Sequence, residues 1–203
     1  MPLSCIAGVA VIVLYCVFTF TSWALYPTPF NPVSKFLSDL GNSTGNPSGA
    51  IFYNLGCILT GVAYIIFLAG FYKWYTGEKT RKIGIMTAQA VGFLAAFSLT
   101  MIGVFSENAG AIHTLWSFVF FLLNLIVIFL FSVVLYTHPS YIKSISYYGF
   151  MVTIINLFFL VGGVGIINSL FLIIYNNPII EWVAVFTALG WIGLLVYNMV
   201  KLS

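Results

Sequence analysis

Six stretches of this sequence are each about twenty or more residues long and almost free of charge, and that pattern leaves the chain few possible folds. The runs lie at about 4–25, 49–74, 83–104, 111–137, 145–175 and 179–200. A hydrocarbon core about 30 Å thick needs roughly twenty apolar residues per helical crossing. Lipid offers the backbone no hydrogen-bond partners, so each crossing must be a helix that satisfies its own amides and carbonyls. The first run lacks a basic flank and a small-residue cleavage site, and is read as a span rather than a signal peptide. The sequence therefore predicts an all-α polytopic membrane protein, with residues 1–203 forming a single integral membrane domain built as a bundle of six transmembrane helices. Composition agrees: 62% of residues are hydrophobic and 5% are charged, far from what a water-exposed surface carries.

The net charge of +3 is too small and too dispersed to bind nucleic acid. Its placement is more informative. Lys73, Lys79, Arg81 and Lys82 lie between spans two and three, Lys143 between spans four and five, and Lys201 at the end of span six, while Lys35 falls on the opposite side. The positive-inside rule then predicts a multi-pass cell-membrane protein with both termini in the cytoplasm. Asp39, Glu107, Glu181 and His113 fall at the outer face. Cys5, Cys16 and Cys57 sit within apolar runs and read as small filler rather than as a disulfide framework.

The first outer loop, YPTPFNPVSKFLSDLGNSTGNPSG, predicts a short amphipathic helix. Asn31 suits its cap, Pro32 its first position and Gly41 the residue past its end. Val33, Phe36, Leu37 and Leu40 would form an apolar face lying on the interface, with Ser34 and Ser38 on another. Asn42-Ser43-Thr44 matches a glycosylation acceptor pattern, yet the same residue types build turns; both readings stay open.

Polar residues inside the spans need partners and should face the bundle. With the helical period, Gln89, Ala96, Thr100, Gly103 and Glu107 share one side of span three. His113, Ser117 and Asn124 share a side of span four, and Asn54 and Gly61 a side of span two. Two readings follow: a polar pocket open to the outer leaflet, or close helix packing. In the pocket reading Asp39, Glu107 and His113 are the candidate catalytic groups, with Glu107 orienting His113 as an acid/base pair. Ser34, Ser38, Asn54, Thr100, Ser117 and Asn124 are the candidate binding residues. No metal or other cofactor is expected, because one histidine with two carboxylates is a poor zinc set. Glu181 reads as a carboxylate complementing the dipole of span six. The fifth run is too long for one upright crossing and should tilt or bend near VGGVG. Gly165 and Ser169 offer a close crossing there, and the Gly-rich faces of spans five and six could join copies in a homo-oligomer.

SKFLSDLG after span one, FYNLG opening span two and GVFSENAGAIHTLWSFVFF joining spans three and four together resemble the six-span membrane proteins catalogued as domain of unknown function 998. Ser38, Leu40 and Gly41 fit that family's loop pattern approximately; Gly103, Phe105, Glu107, Gly110 and His113 fit closely. The resemblance covers roughly residues 1–140 and implies the six-span architecture and a shared outer pocket, with no reaction attached. The chain is more loosely similar to DRAM-like membrane proteins linked to lipid handling. The ceramidase and adiponectin-receptor pattern of intramembrane metal hydrolases is not met, since it needs several histidines and only His113 lies on the required side. Membrane lipids are the expected partners. The expected function is an outward-facing pocket for a lipid or amphiphile headgroup, in a binding protein or a lipid-modifying hydrolase or transferase. A small-solute transporter or channel and a non-catalytic scaffold are the alternatives.

Overall fold

The computed structural model describes residues 2–74, 78–163 and 178–201. Six helices long and apolar enough to cross a bilayer follow one another: α1 (Leu3–Ala24), α2 (Ala50–Ala69), α3 (Lys79–Val104), α4 (Ala111–Tyr136), α5 (Lys143–Gly163) and α6 (Ile179–Lys201). No strand occurs among the described residues. The expected six-helix membrane bundle is therefore what forms. α3 starts at Lys79, ahead of its apolar run, and draws Arg81 into its first turn. There Arg81 Nη2 donates to the Thr137 carbonyl at the end of α4, 3.1 Å away. The expected bend near VGGVG and the Gly165/Ser169 pair lie outside the described residues.

Each helix packs against its sequence neighbours, and α6 returns to α1, closing a ring. One end of the ring carries the 25–49 loop and the α3–α4 turn (the loop face). The other carries Lys73, Lys79, Arg81, Lys82, Lys143 and Lys201 (the basic face).

Lipid tails are as apolar as leucine, so burial of apolar surface does not decide which side of a helix turns inward. Polarity and size decide instead. On α1, Ile6, Val9, Val13, Val17 and Phe20 point outward, whereas Ser4, Gly8, Tyr15, Thr19 and Ser22 are buried. The small residues of α3 bring it close to α2. A Cβ on Gly103 would run into the backbone carbonyl of Asn54, and one on Gly61 would meet the Ala96 carbonyl at 2.7 Å. Gln89 secures the same pair of helices by donating from Nε2 to the Leu68 carbonyl at 2.7 Å. The polar stripe of α3 is thus used for packing.

From the middle of the membrane to the basic face the interior is filled by rings. Phe67, Phe71, Phe131 and Trp191 are at most 1% exposed. The Phe71 and Phe131 centroids are 4.5 Å apart, and those of Phe131 and Trp191 6.2 Å. The cavity described below lies on the loop-face side of this layer.

Replacing Gly103 by Val should destabilise the bundle by about 1–3 kcal/mol through overpacking. At about 2–4 °C per kcal/mol for a chain of this size, melting in detergent should fall accordingly. Leu94→Val, at a lipid-facing position of the same helix, should melt close to the parent. Equal melting of the two variants would mean that α2 and α3 do not cross at Gly103.

Candidate functional site

Residues 31–41 of the 25–49 loop fold as two separate turns rather than one helix. Asn31 starts the first: its Oδ1 accepts from Val33 N at 3.0 Å, and its carbonyl accepts from Ser34 N and Lys35 N at 3.0 and 2.9 Å. A 3-10 turn over Ser38–Gly41 is the second. Between them, amides that a helix would direct to its own carbonyls go to carboxylates. Asp39 Oδ2 accepts from Phe36 N at 2.7 Å, and Glu181 Oε2 accepts from Leu37 N at 2.6 Å. This interrupts the predicted amphipathic helix and splits its predicted face: Leu37 and Leu40 are fully buried, while Val33 and Phe36 are exposed.

Glu181 lies in the first turn of α6, as its sequence position implies. Its bond to Leu37, 144 residues away, gives it a further role that local sequence conceals. The side chain is only 7% exposed, and Asp39 and Glu107 are its charged neighbours. Beside it, Trp182 Nε1 donates to the Lys35 carbonyl at 3.2 Å, and the Trp182 ring packs edge-on against Trp23 at 5.2 Å. On the opposite side of the loop, buried Asn46 donates from Nδ2 to the Ser22 and Leu40 carbonyls at 3.2 and 3.0 Å. Asn54 Nδ2 holds the Gly41 carbonyl at 3.2 Å. The loop is therefore fixed to α1, α2 and α6 as a roof over the ring.

The Asn42-Ser43-Thr44 stretch forms a turn. Asn42 Oδ1 accepts from Thr44 N and Gly45 N at 2.9 and 3.0 Å, and from Asn108 Nδ2 at 3.2 Å. Asn108 Oδ1 accepts from Ser43 N at 2.7 Å, which ties the roof to the α3–α4 turn.

In that turn the chain brings Glu107 to Asp39. Burial raises the Glu107 carboxyl from an ordinary 4.5 to about 7; the charge of Asp39 and a hydrogen bond between the two carboxyls add to the rise, and the Asn42 amide and Lys35 oppose it. Near neutral pH the Glu107 carboxyl is thus partly protonated where it faces Asp39. Lys35 does not pair with them directly: its Nζ donates to Tyr26 OH at 3.2 Å and lies over that ring.

His113 goes elsewhere. Its Nδ1 lies 2.8 Å from the Phe105 carbonyl, joining the last turn of α3 to the first turn of α4. The backbone reverses at Gly110 with φ +57°, a conformation side-chain-bearing residues avoid. Glu107 is left above this reversal and His113 below it, with no hydrogen bond or ion pair between them. The acid/base pair expected from their spacing is therefore not formed; Glu107 pairs with Asp39. No group of three or more His, Cys, Asp or Glu among the described residues is placed to hold a metal ion.

Beneath the roof lies a cavity of about 60 Å³, room for about four waters at roughly 10–15 Å³ each. Ser38 and Glu181 are at its top, beside the Tyr15–Tyr53 hydroxyl pair. Leu99, Ile102, Phe120 and Phe121 form apolar wall. Lower down, Asn124 Oδ1 accepts from Tyr64 OH at 3.2 Å. Of the expected binding residues, Ser38, Ser117 and Asn124 line this space. Ser34 is exposed and bonds Asn31; Asn54 clamps the loop; Thr100 bonds the Ala96 carbonyl on the side facing Gly61. Tyr53, Cys57, Thr60 and Tyr64 line the cavity from α2. Their helical spacing was visible in the sequence, but rings and a thiol in an apolar run read as filler.

The profile of the family described as protein of unknown function (DUF998) matches residues 9–198, nearly the whole chain. The chain belongs to this family. No curated protein and no solved structure matches it. Of the family-like motifs, SKFLSDLG builds the roof of this DUF998 protein, and GVFSENAGAIH supplies the Glu107 carboxyl and the His113 link beneath it.

Two outcomes follow for the DUF998 site. Between pH of about 4.5 and 7 the folded chain holds a Glu107 proton that the unfolded chain releases, so stability falls as pH rises through that window. Melting curves of Glu107→Gln across the window should show a shallower pH slope than the parent; an identical slope would remove Glu107 as its source. His113→Ala should lower melting by about 2–4 °C, the loss of one hydrogen bond worth about 1 kcal/mol.

Proposed function

We propose that this membrane protein binds a single-chain amphiphile, its polar head beneath the roof near Ser38, Glu181 and the Asp39–Glu107 pair, and its chain along the apolar wall below. With the basic face and both termini on the cytoplasmic side, as the positive-inside rule gives, the ligand comes from the outer leaflet. The observation that carries this reading is a cavity roofed by Ser38 and a buried carboxylate and walled by Leu99, Ile102 and Phe120. A head that donates hydrogen bonds or carries positive charge suits three neighbouring acids, and a phosphate is repelled by them. The cavity is well below the roughly 300–1,000 Å³ of drug-sized sites, which favours one chain over two and requires the space to widen on entry.

Hydrolysis gains less support, because His113 is bonded to the Phe105 carbonyl and makes no pair with Glu107. A transport route would have to cross the aromatic layer of Phe67, Phe71 and Phe131. To test binding, native mass spectrometry is run on the wild type and on Ala188→Leu and Ser117→Leu, which place bulk in the cavity wall. The wild type should carry a co-purified amphiphile and both folded variants should carry less than about a tenth of it, as expected when a ligand clashes by a few kcal/mol. Equal occupancy in all three proteins would overturn the proposal.

A further inference from the structure

Several serines and threonines in these helices bond their own backbone. Ser98, Thr100, Ser132, Thr153 and Thr187 each return their hydroxyl to the carbonyl four residues back, at 2.6–3.1 Å. Thr60 does not: it is 1% exposed, and its Oγ1 has no hydrogen-bond partner. Across the ring, Asn156 is fully buried. It donates from Nδ2 to the Val152 carbonyl of its own helix at 2.9 Å, and its Oδ1 is left without a partner.

Both residues line the cavity. Thr60 lies ten residues into α2 from the loop face, about 15 Å at 1.5 Å per residue, which is near the middle of a core about 30 Å thick. Asn124, which also lines the cavity, lies thirteen residues into α4, about 20 Å deep. The cavity therefore has polar groups at its floor as well as at its roof, with apolar wall between. An unpaired buried hydroxyl or amide oxygen is destabilising, and lipid cannot relieve it. A hydroxyl group on a ligand can relieve either, by accepting from the Thr60 hydroxyl or by donating to Asn156 Oδ1.

We infer that the floor formed by Thr60 and Asn156 is a second recognition point, which selects an amphiphile bearing a hydroxyl part-way down its chain over one with a plain hydrocarbon tail. This rests on the amphiphile-binding reading of the same cavity. A plain tail would leave Thr60 Oγ1 and Asn156 Oδ1 unpaired. A hydroxylated chain satisfies one of them at a depth that the length of the ligand fixes, so the floor acts as a gauge of where the hydroxyl is placed.

The test uses the full chain in detergent and a set of long-chain primary amines of one length, one unsubstituted and the others hydroxylated at successive carbons. Affinities are read by titration against intrinsic tryptophan fluorescence. One position of the hydroxyl should bind about ten-fold more tightly than the unsubstituted amine, as a good hydrogen bond to one of these groups would give. Thr60→Val and Asn156→Leu should each reduce that gain, bringing the affinities of the hydroxylated and unsubstituted amines closer together. If the plain amine binds and no hydroxylated one binds better, or if the gain survives both substitutions, the inference is wrong and the floor holds only water. If no amine binds the wild type, the amphiphile reading of the cavity falls with it. Should one variant fail to fold, the other decides.

Discussion

Glu181 has few ways to exist at its depth. A carboxylate withdrawn from water must find hydrogen-bond donors or give up its charge, and the transmembrane helices have none to spare, because their amides are already bonded within the helix. The donor it finds is Leu37 N, in a segment that leaves its helical path to supply it. That contact shapes the loop face: it interrupts the loop helix, turns Leu37 and Leu40 inward, sets Ser38 above the cavity and brings Asp39 beside Glu107. Trp182 and Asn46 secure the two edges of the same roof.

The helix count, the all-α class and the sorting of basic residues to one end follow from the apolar runs alone, because hydrocarbon allows so few backbone arrangements. The site was legible in part. Asp39 and Glu107, grouped as acids near the loop, lie side by side, and Ser38, Ser117 and Asn124 line the cavity. The choice of His113 as the partner of Glu107 failed because closeness in sequence says nothing about direction across a turn, and Gly110 reverses the chain between them. Glu181 was under-read for the opposite reason. Helix dipole and position gave it a sufficient local role, and its partner lies on a distant loop. Asn46 and Ser22 carried no signal at all, since a polar residue in a turn-rich segment looks the same whether it is solvated or buried.

The polar stripe of α3 shows how one pattern can serve two purposes. Thr100 and Gly103 share a side with Glu107, which made them candidates for the pocket. In the ring that side meets α2, where Gly61 and the Asn54 carbonyl leave no room for a ligand. On α4 a similar pattern does open to the cavity at Ser117 and Asn124, because the facing elements carry side chains that hold the helices apart. Periodicity tells which residues turn away from lipid; the size of what they meet decides whether the space between is filled or open.

The ring-filled half of the bundle makes the interior one-ended. Anything that enters from the loop face encounters Phe67, Phe71 and Phe131 before it can reach the opposite surface, and it has to leave by the way it came. On the amphiphile-binding proposal, occupancy would then equilibrate with a single leaflet. A protein built in this way can distinguish the two sides of its membrane without moving anything between them.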